Sequence, residues 1–197
     1  MKYNIYAMGI MVAIVSFLGF VVENVWLAMT KGYMNNRNMN APFLLGYGLL
    51  MVIFYFILGT PNQMTLPRSL QKKLRARGRY LLYFVCAMFI VCVSEIVLGE
   101  IVEKMCAIEY WNYENIPFHI TKYTSLPTSA AFATIITFFM GVCFEPLMAL
   151  ILQMDPRWIK LISVILMLVM SADFLISFGI MIKRKNYYLK WKILLRQ

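Results

Sequence analysis

The chain has 197 residues, 61% of them hydrophobic and 14% charged, with a mean hydropathy of +0.69. A soluble domain runs nearer 45–50% apolar and about 25% charged. The contrast excludes a water-soluble globule, a disordered chain and a secreted disulfide scaffold, and the net charge of +10 falls between and after the apolar runs. Basic residues placed there favour anionic lipid headgroups as partner over nucleic acid, for which no binding motif is present.

Five runs are long enough to cross a hydrocarbon core of about 30 Å. They cover residues 5–29, 42–60, 80–102, 128–152 and 161–182, and none contains Lys or Arg. Lipid leaves the backbone no outside partner, so long unbroken runs must be helices. The predicted fold is an all-α polytopic membrane helix bundle with five transmembrane helices. It forms a single transmembrane domain over 1–182, followed by a basic aromatic tail, 183–197. The first run is too long for the apolar core of a signal peptide and reads as a retained span. A bacterial plasma membrane protein is the expectation.

The connections carry the polarity. The first, KGYMNNRNMNA, is rich in Asn. The second, 61–79, holds Arg68, Lys72, Lys73, Arg75, Arg77 and Arg79, and the stretch around Leu70 and Leu74 reads as a headgroup-facing helix or a partner's docking site. The third, 103–127, places Tyr110, Trp111 and Tyr113 at interface level. The fourth, 153–160, is a turn around Asp155-Pro156-Arg157. The tail has as many basic residues as the second connection, and three spans separate the two. The positive-inside rule therefore cannot satisfy both; placing the second connection and the N-terminus in the cytoplasm leaves the tail outside.

All basic residues avoid the apolar runs, yet Glu23, Glu95, Glu145 and Asp173 lie within them. An ionisable group there costs roughly 2.5–3.5 kcal/mol on insertion scales and is a functional hypothesis by default. At 1.5 Å per residue, Glu23, Glu95 and Asp173 lie about 9, 10 and 13 Å before the ends of parallel spans, and so approach one side. Glu145 belongs to the opposite side, with Arg77 and Arg79. Small residues line the same faces: Gly9, Ala13, Ser16 and Gly19 precede Glu23, and Ser129, Ala133, Thr137 and Gly141 precede Glu145. Such stripes let helices approach closely. Pro146 frees the Val142 carbonyl and predicts a kink.

These positions suggest a polar, carboxylate-lined ligand-binding pocket of Glu23, Asn36, Arg37, Glu95, Glu100, Trp111, Asn112 and Tyr113, with Arg37 as an anion or carboxylate clamp. The competing reading is structural: Arg37 pairs with Glu23 or Glu95 and fastens loop to bundle. Glu145, Asp173 and His119 are secondary candidates. Glu145 reads best as a partner of the basic loop. A lone His119 without ligand-spaced partners does not make a zinc site, and no metal is expected. No catalytic triad is recognisable. No P-loop motif is present, so no ATP cofactor is expected in this chain. The cysteines read as small core residues and the methionines as adaptable filling.

Phe17-Leu18-Gly19-Phe20-Val21-Val22-Glu23, Asn36-Arg37, Pro42-Phe43-Leu44 and Tyr47-Gly48 form one set of motifs. Glu95, Gly99, Glu103-Lys104, Trp111-Asn112-Tyr113 and Pro117 form a second, with Gly141 and Glu145 beyond them. Together they resemble the CmpB-like, ABC-transporter type IV membrane family over roughly Phe17 to Leu150. The chain departs from the family pattern at Asn38, where Gly is usual, at Asn112 and Glu114, where Asp and Ser are usual, and near Leu45, where a Pro is missing. The resemblance implies a permease-like protein handling a small solute or lipid, with a separate ATP-binding subunit as partner. Five helices are few for a complete transporter, which adds a homodimer to the expected partners, beside membrane lipids. The alternatives are a membrane-embedded enzyme acting on a lipid headgroup, with Glu23 or Glu95 as acid/base, and a non-catalytic assembly protein.

Overall fold

The computed structural model describes residues 3–64 and 75–195. It is helical, with five helical segments long and apolar enough to cross a membrane. The chain divides into two compact units, one of Met1–Val52 with Leu147–Gln197, the other of Ile53–Pro146.

In the first unit α1 (Ile5–Lys31) starts where the Asn4 side chain accepts the Ala7 N–H at 2.7 Å. It stops at Gly32, whose φ of 71° suits a residue without Cβ. The stripe of Gly9, Ala13, Ser16 and Gly19 is buried, as its small residues predict. The unit also holds the first part of α2 (Leu45–Leu58) and all of α6 (Pro156–Arg184). Asp155 caps α6 by accepting the Arg157 N–H at 2.7 Å, and Pro156 occupies the first turn, where a missing N–H costs nothing. Gly9 lies against Ser163 of α6, and Gly48 of α2 against Val12 and Ser16. The short strands β1 (Tyr33–Asn35) and β4 (Lys192–Leu194) pair antiparallel, so the tail folds back onto the first connection.

In the second unit the rest of α2 ends at Gly59, with φ 74°, and a 3₁₀ turn follows at Pro61–Gln63. Then come α3 (Ala76–Cys106), the hairpin of β2 (His119–Thr121) and β3 (Thr124–Ser125), and α4 (Leu126–Phe138). A π-helical turn, Phe139–Cys143, leads from α4 into α5 (Phe144–Leu152). The irregularity sits just before Pro146, whose ring excludes a bond to Val142. The Gly141 carbonyl in that turn accepts from Tyr80 Oη at 3.0 Å and Asn62 Nδ2 at 3.1 Å. Fully buried Tyr83 donates to the Gly59 carbonyl, and Tyr55 stacks on Phe144 at 5.0 Å between centroids.

Large apolar side chains such as Phe56, Leu81, Phe89, Leu168 and Leu175 stay exposed, which suits contact with acyl chains. The helices run past the apolar windows: α3 takes in Arg77 and Arg79, and α6 takes in Arg157, Lys160, Lys183 and Arg184. Long basic side chains at helix ends reach the headgroups while their stems stay in the apolar layer. Leu70 and Leu74 of the basic connection lie outside the described residues.

Candidate functional site

The first connection is built from its asparagines. Asn24 on α1 accepts the Asn35 N–H at 2.9 Å, and Asn35 Oδ1 accepts the Arg37 N–H at 2.9 Å. This local turn accompanies positive φ at Arg37 and Asn38, 46° and 60°, a conformation that Asn tolerates. Asn36, only 2% exposed, donates to the carbonyls of Met39 and Tyr188 and accepts the Lys190 N–H. Asn38 accepts the Tyr188 N–H, and Tyr188 Oη donates to Asn40. Candidate residue Asn36 thus ties the connection to the tail.

That folding brings Arg37 to Glu23. Arg37 Nη2 lies 2.8 Å from Glu23 Oε2, with side chains 15% and 22% exposed. The other carboxylate oxygen accepts from Tyr47 Oη at 2.5 Å. Glu23, inside an apolar span, therefore has a cation and a phenol as partners; of the two pairings the structural reading left open for Arg37, the one with Glu23 is present.

Asp173 on α6 is 8% exposed. It accepts the Asn40 N–H at 2.9 Å, Asn40 Nδ2 at 2.6 Å, the Ala41 N–H at 2.8 Å and Ser177 Oγ at 3.0 Å. Backbone and amide donors, which carry no formal charge, surround this carboxylate.

In the second unit Glu95 Oε2 accepts from Thr124 Oγ1 at 2.7 Å and Ser129 Oγ at 3.0 Å, both from residues with no exposed surface. Glu103, about two turns further along α3, accepts from Tyr123 Oη and from Lys122 Nζ at 2.6 Å. Lys122 also meets Glu109 at 3.0 Å. The Asn112 amide and Lys122 hold the Glu109 carboxyl below its ordinary value, and Glu103 and Glu109 raise the Lys122 ammonium. Burial first, and the bond to Glu103 second, push the Tyr123 phenol up.

Trp111 and Tyr113 hold this hairpin in place: Trp111 Nε1 donates to the Tyr123 carbonyl at 2.8 Å, and the Tyr113 N–H to that of Lys122 at 2.8 Å. Asn112 Oδ1 accepts the Glu114 N–H. Glu100 sits apart in an exposed i,i+4 pair with Lys104 at 3.4 Å, a geometry worth little. His119 is exposed in β2 with its ring nitrogen 3.3 Å from the Ile116 carbonyl. Half-buried Glu145 opens α5 after the π turn. The guanidinium of Arg79, one of the two expected neighbours of Glu145, donates to the Asn62 carbonyl at 3.1 Å.

The structure thus joins Glu23 to Arg37, and Trp111 and Tyr113 to the hairpin, while Asn112 bonds Glu109 and Glu114. Sequence reasoning passed over Lys122, Tyr123 and Thr124; the available signal was a Lys-Tyr-Thr run just before a helix. Among the described residues, no three His, Cys, Asp or Glu side chains converge as metal ligands do.

Residues 10–178 match the family model described as "Putative ABC-transporter type IV". No curated protein and no solved structure matches the chain.

Proposed function

The chain belongs to the CmpB-type family of ABC-transporter type IV membrane proteins, and from that premise we propose that it is a permease-like subunit handling a small solute or lipid. Its solute-handling groups are Glu23 with Arg37 in the first unit, and Glu95 with its hydroxyl partners in the second. The carrying observation is that Arg37, from the first connection, reaches Glu23 of α1 at 2.8 Å. A carboxylate inside an apolar span is costly to insert and is a functional hypothesis by default. Arg37 has the geometry to hold a phosphate or carboxylate once it exchanges partners. The sequence has no P-loop, so ATP turnover belongs to a separate subunit.

A second reading is an assembly protein whose carboxylates only fasten loops to helices. The saturation of Asp173 by donors favours it.

Purification of the full chain with native lipids, followed by assays of ATP turnover and thermal stability, separates the two. The permease reading expects an ATP-binding subunit in the complex, and a turnover that changes in Glu23→Gln and Glu95→Gln. A chain that carries no such subunit, and loses only stability in these variants, is an assembly protein. Turnover of a lipid by the chain alone replaces both readings with an enzyme.

A further inference from the structure

The clamp at Glu23 occurs twice. On α1, Gly19 lies under the ring of Tyr47: a Cβ there would meet Tyr47 Cγ at 2.5 Å, and the ring's hydroxyl reaches Glu23. On α3, Gly99 lies under the ring of Tyr123 in the same way, again with Cγ nearest, and the hydroxyl reaches Glu103. Each glutamate follows its glycine by four residues, a rise of about 6 Å on one helix face. A tyrosine ring from Cγ to hydroxyl together with one hydrogen bond spans that rise, so one ring covers the glycine and caps the carboxylate. Each carboxylate then receives a cation, Arg37 at 2.8 Å in one case and Lys122 at 2.6 Å in the other.

The register agrees beyond the clamp. The residue after each tyrosine meets a polar group about one turn before the glycine. Gly48 lies against Ser16 Oγ, and Thr124 Oγ1 donates to Glu95. Each tyrosine lies near a helix start, Tyr47 just inside α2, which begins at Leu45, and Tyr123 just before α4, which begins at Leu126.

The sequence carries the same duplication. Leu18-Gly19-Phe20-Val21-Val22-Glu23 matches Leu98-Gly99-Glu100-Ile101-Val102-Glu103, and Asn40-Ala41-Pro42-Phe43 matches Asn115-Ile116-Pro117-Phe118. The pattern L-G-x-[VI]-V-E, then N-x-P-F, then Y is kept in order both times.

We infer that the chain is a tandem duplication of one helix–loop–helix module, α1 to α2 and α3 to α4, each locked by the same glycine–glutamate–tyrosine latch with a cation on the carboxylate. Glu103 and Tyr123, rather than Glu95, are the counterparts of Glu23 and Tyr47. α6, which brings Asp173 to the first loop, stands outside the repeat. The cation is the part that diverged: Arg37 precedes the N-x-P-F segment, and Lys122 directly precedes the tyrosine. The inference is independent of what the protein transports.

Hydrogen exchange on the full chain in lipid nanodiscs tests it. Tyr47→Phe and Gly19→Ala are expected to speed exchange in the first loop, residues 32–44, about tenfold, and to leave the second loop unchanged. Tyr123→Phe and Gly99→Ala are expected to do the same for residues 107–125 alone. The double change Glu100→Phe with Ile101→Val writes the first copy's sequence into the second, and exchange there is expected to stay within about twofold of the parent. The duplication is overturned if Tyr123→Phe, which removes only a hydroxyl, leaves the second loop as protected as before. It is equally overturned if the transplanted sequence opens that loop as far as Gly99→Ala does.

Discussion

Asp173 holds Asn40 by backbone and side chain at once, taking its N–H at 2.9 Å and its Nδ2 at 2.6 Å. The contact fastens the first loop to the last helix. Asp173→Ala leaves the Asn40 and Ala41 N–H groups without their acceptor, and a lost charged hydrogen bond costs about 1.5–3 kcal/mol. The expected loss is about 3 kcal/mol, and about half that for Asp173→Asn, which keeps one acceptor oxygen. Thermal unfolding in mild detergent measures both. A midpoint unmoved by the alanine change means that the cap does not hold the loop.

The Arg37–Glu23 pair is mostly shielded from solvent. Glu23→Gln is expected to cost about 2 kcal/mol, since it strands the guanidinium beside a neutral amide. Arg37→Met is expected to cost a similar amount. In a double-mutant cycle the combined variant should lose less than the sum, with a coupling of about 1–2 kcal/mol. Strict additivity would show that the two side chains do not depend on each other.

Two neighbouring glycines of α2 should respond in opposite ways. A Cβ at Gly48 would meet Ser16 Oγ at 2.5 Å and also the Val12 carbonyl, whereas a Cβ at Gly46 meets nothing within 4 Å. Gly48→Ala is expected to destabilise by about 1–3 kcal/mol, the cost of overpacking. Gly46→Ala is expected to be neutral or to add up to about 1 kcal/mol of stability, because alanine favours the helix. The difference between the two midpoints is the test.

The hairpin's ion pair gives it a broad pH range. The Glu109 pKa is depressed, so its contribution is present above the ordinary glutamate value and disappears as pH falls through the lowered one. The Lys122 and Tyr123 values are raised, so theirs are present below the ordinary lysine and tyrosine values and disappear as pH rises past the raised ones. The hairpin is therefore expected to stay ordered from about pH 5 to about pH 9.5, and to loosen below about pH 4. Trp111 fluorescence reads this in a chain whose other tryptophans are replaced by Phe, because Trp111 packs edge-on against Tyr123 at 6.0 Å. An emission maximum that drifts between pH 6 and 8 would contradict it.

The spans were legible because lipid permits few alternatives, and each apolar run became helical, the fourth with a π turn between α4 and α5. Their ends were less so: hydropathy falls at the first charge, while α3 continues through Arg77 and Arg79, whose side chains can leave the apolar layer. The second span begins at Leu45 rather than at Pro42, since a loop fixed by Asn40 and Ala41 delays it. Arg37 could be named as a partner of Glu23 or of Glu95, because basic residues are few near the carboxylates, but the choice between the two depends on how the first connection folds. Asp173 with Asn40 could not be named, since the pairing depends on how α6 packs. The partners of Glu103 sit in a hairpin whose strands are too short for any periodicity to register. The paired L-G-x-[VI]-V-E segments are plain as letters, yet hydropathy reduces both to the same apolar background.

The first unit is made of the two ends of the chain, while the second is one uninterrupted stretch. Synthesis runs from the N-terminus, and domains generally fold as units while it proceeds. The second unit can therefore be completed first. Asn40 and Ala41 emerge early and wait for Asp173, and β1 waits still longer for β4. A ribosome stalled before α6 would leave the second unit whole and the Asn-rich loop uncapped, open to cellular quality control until the last helix arrives.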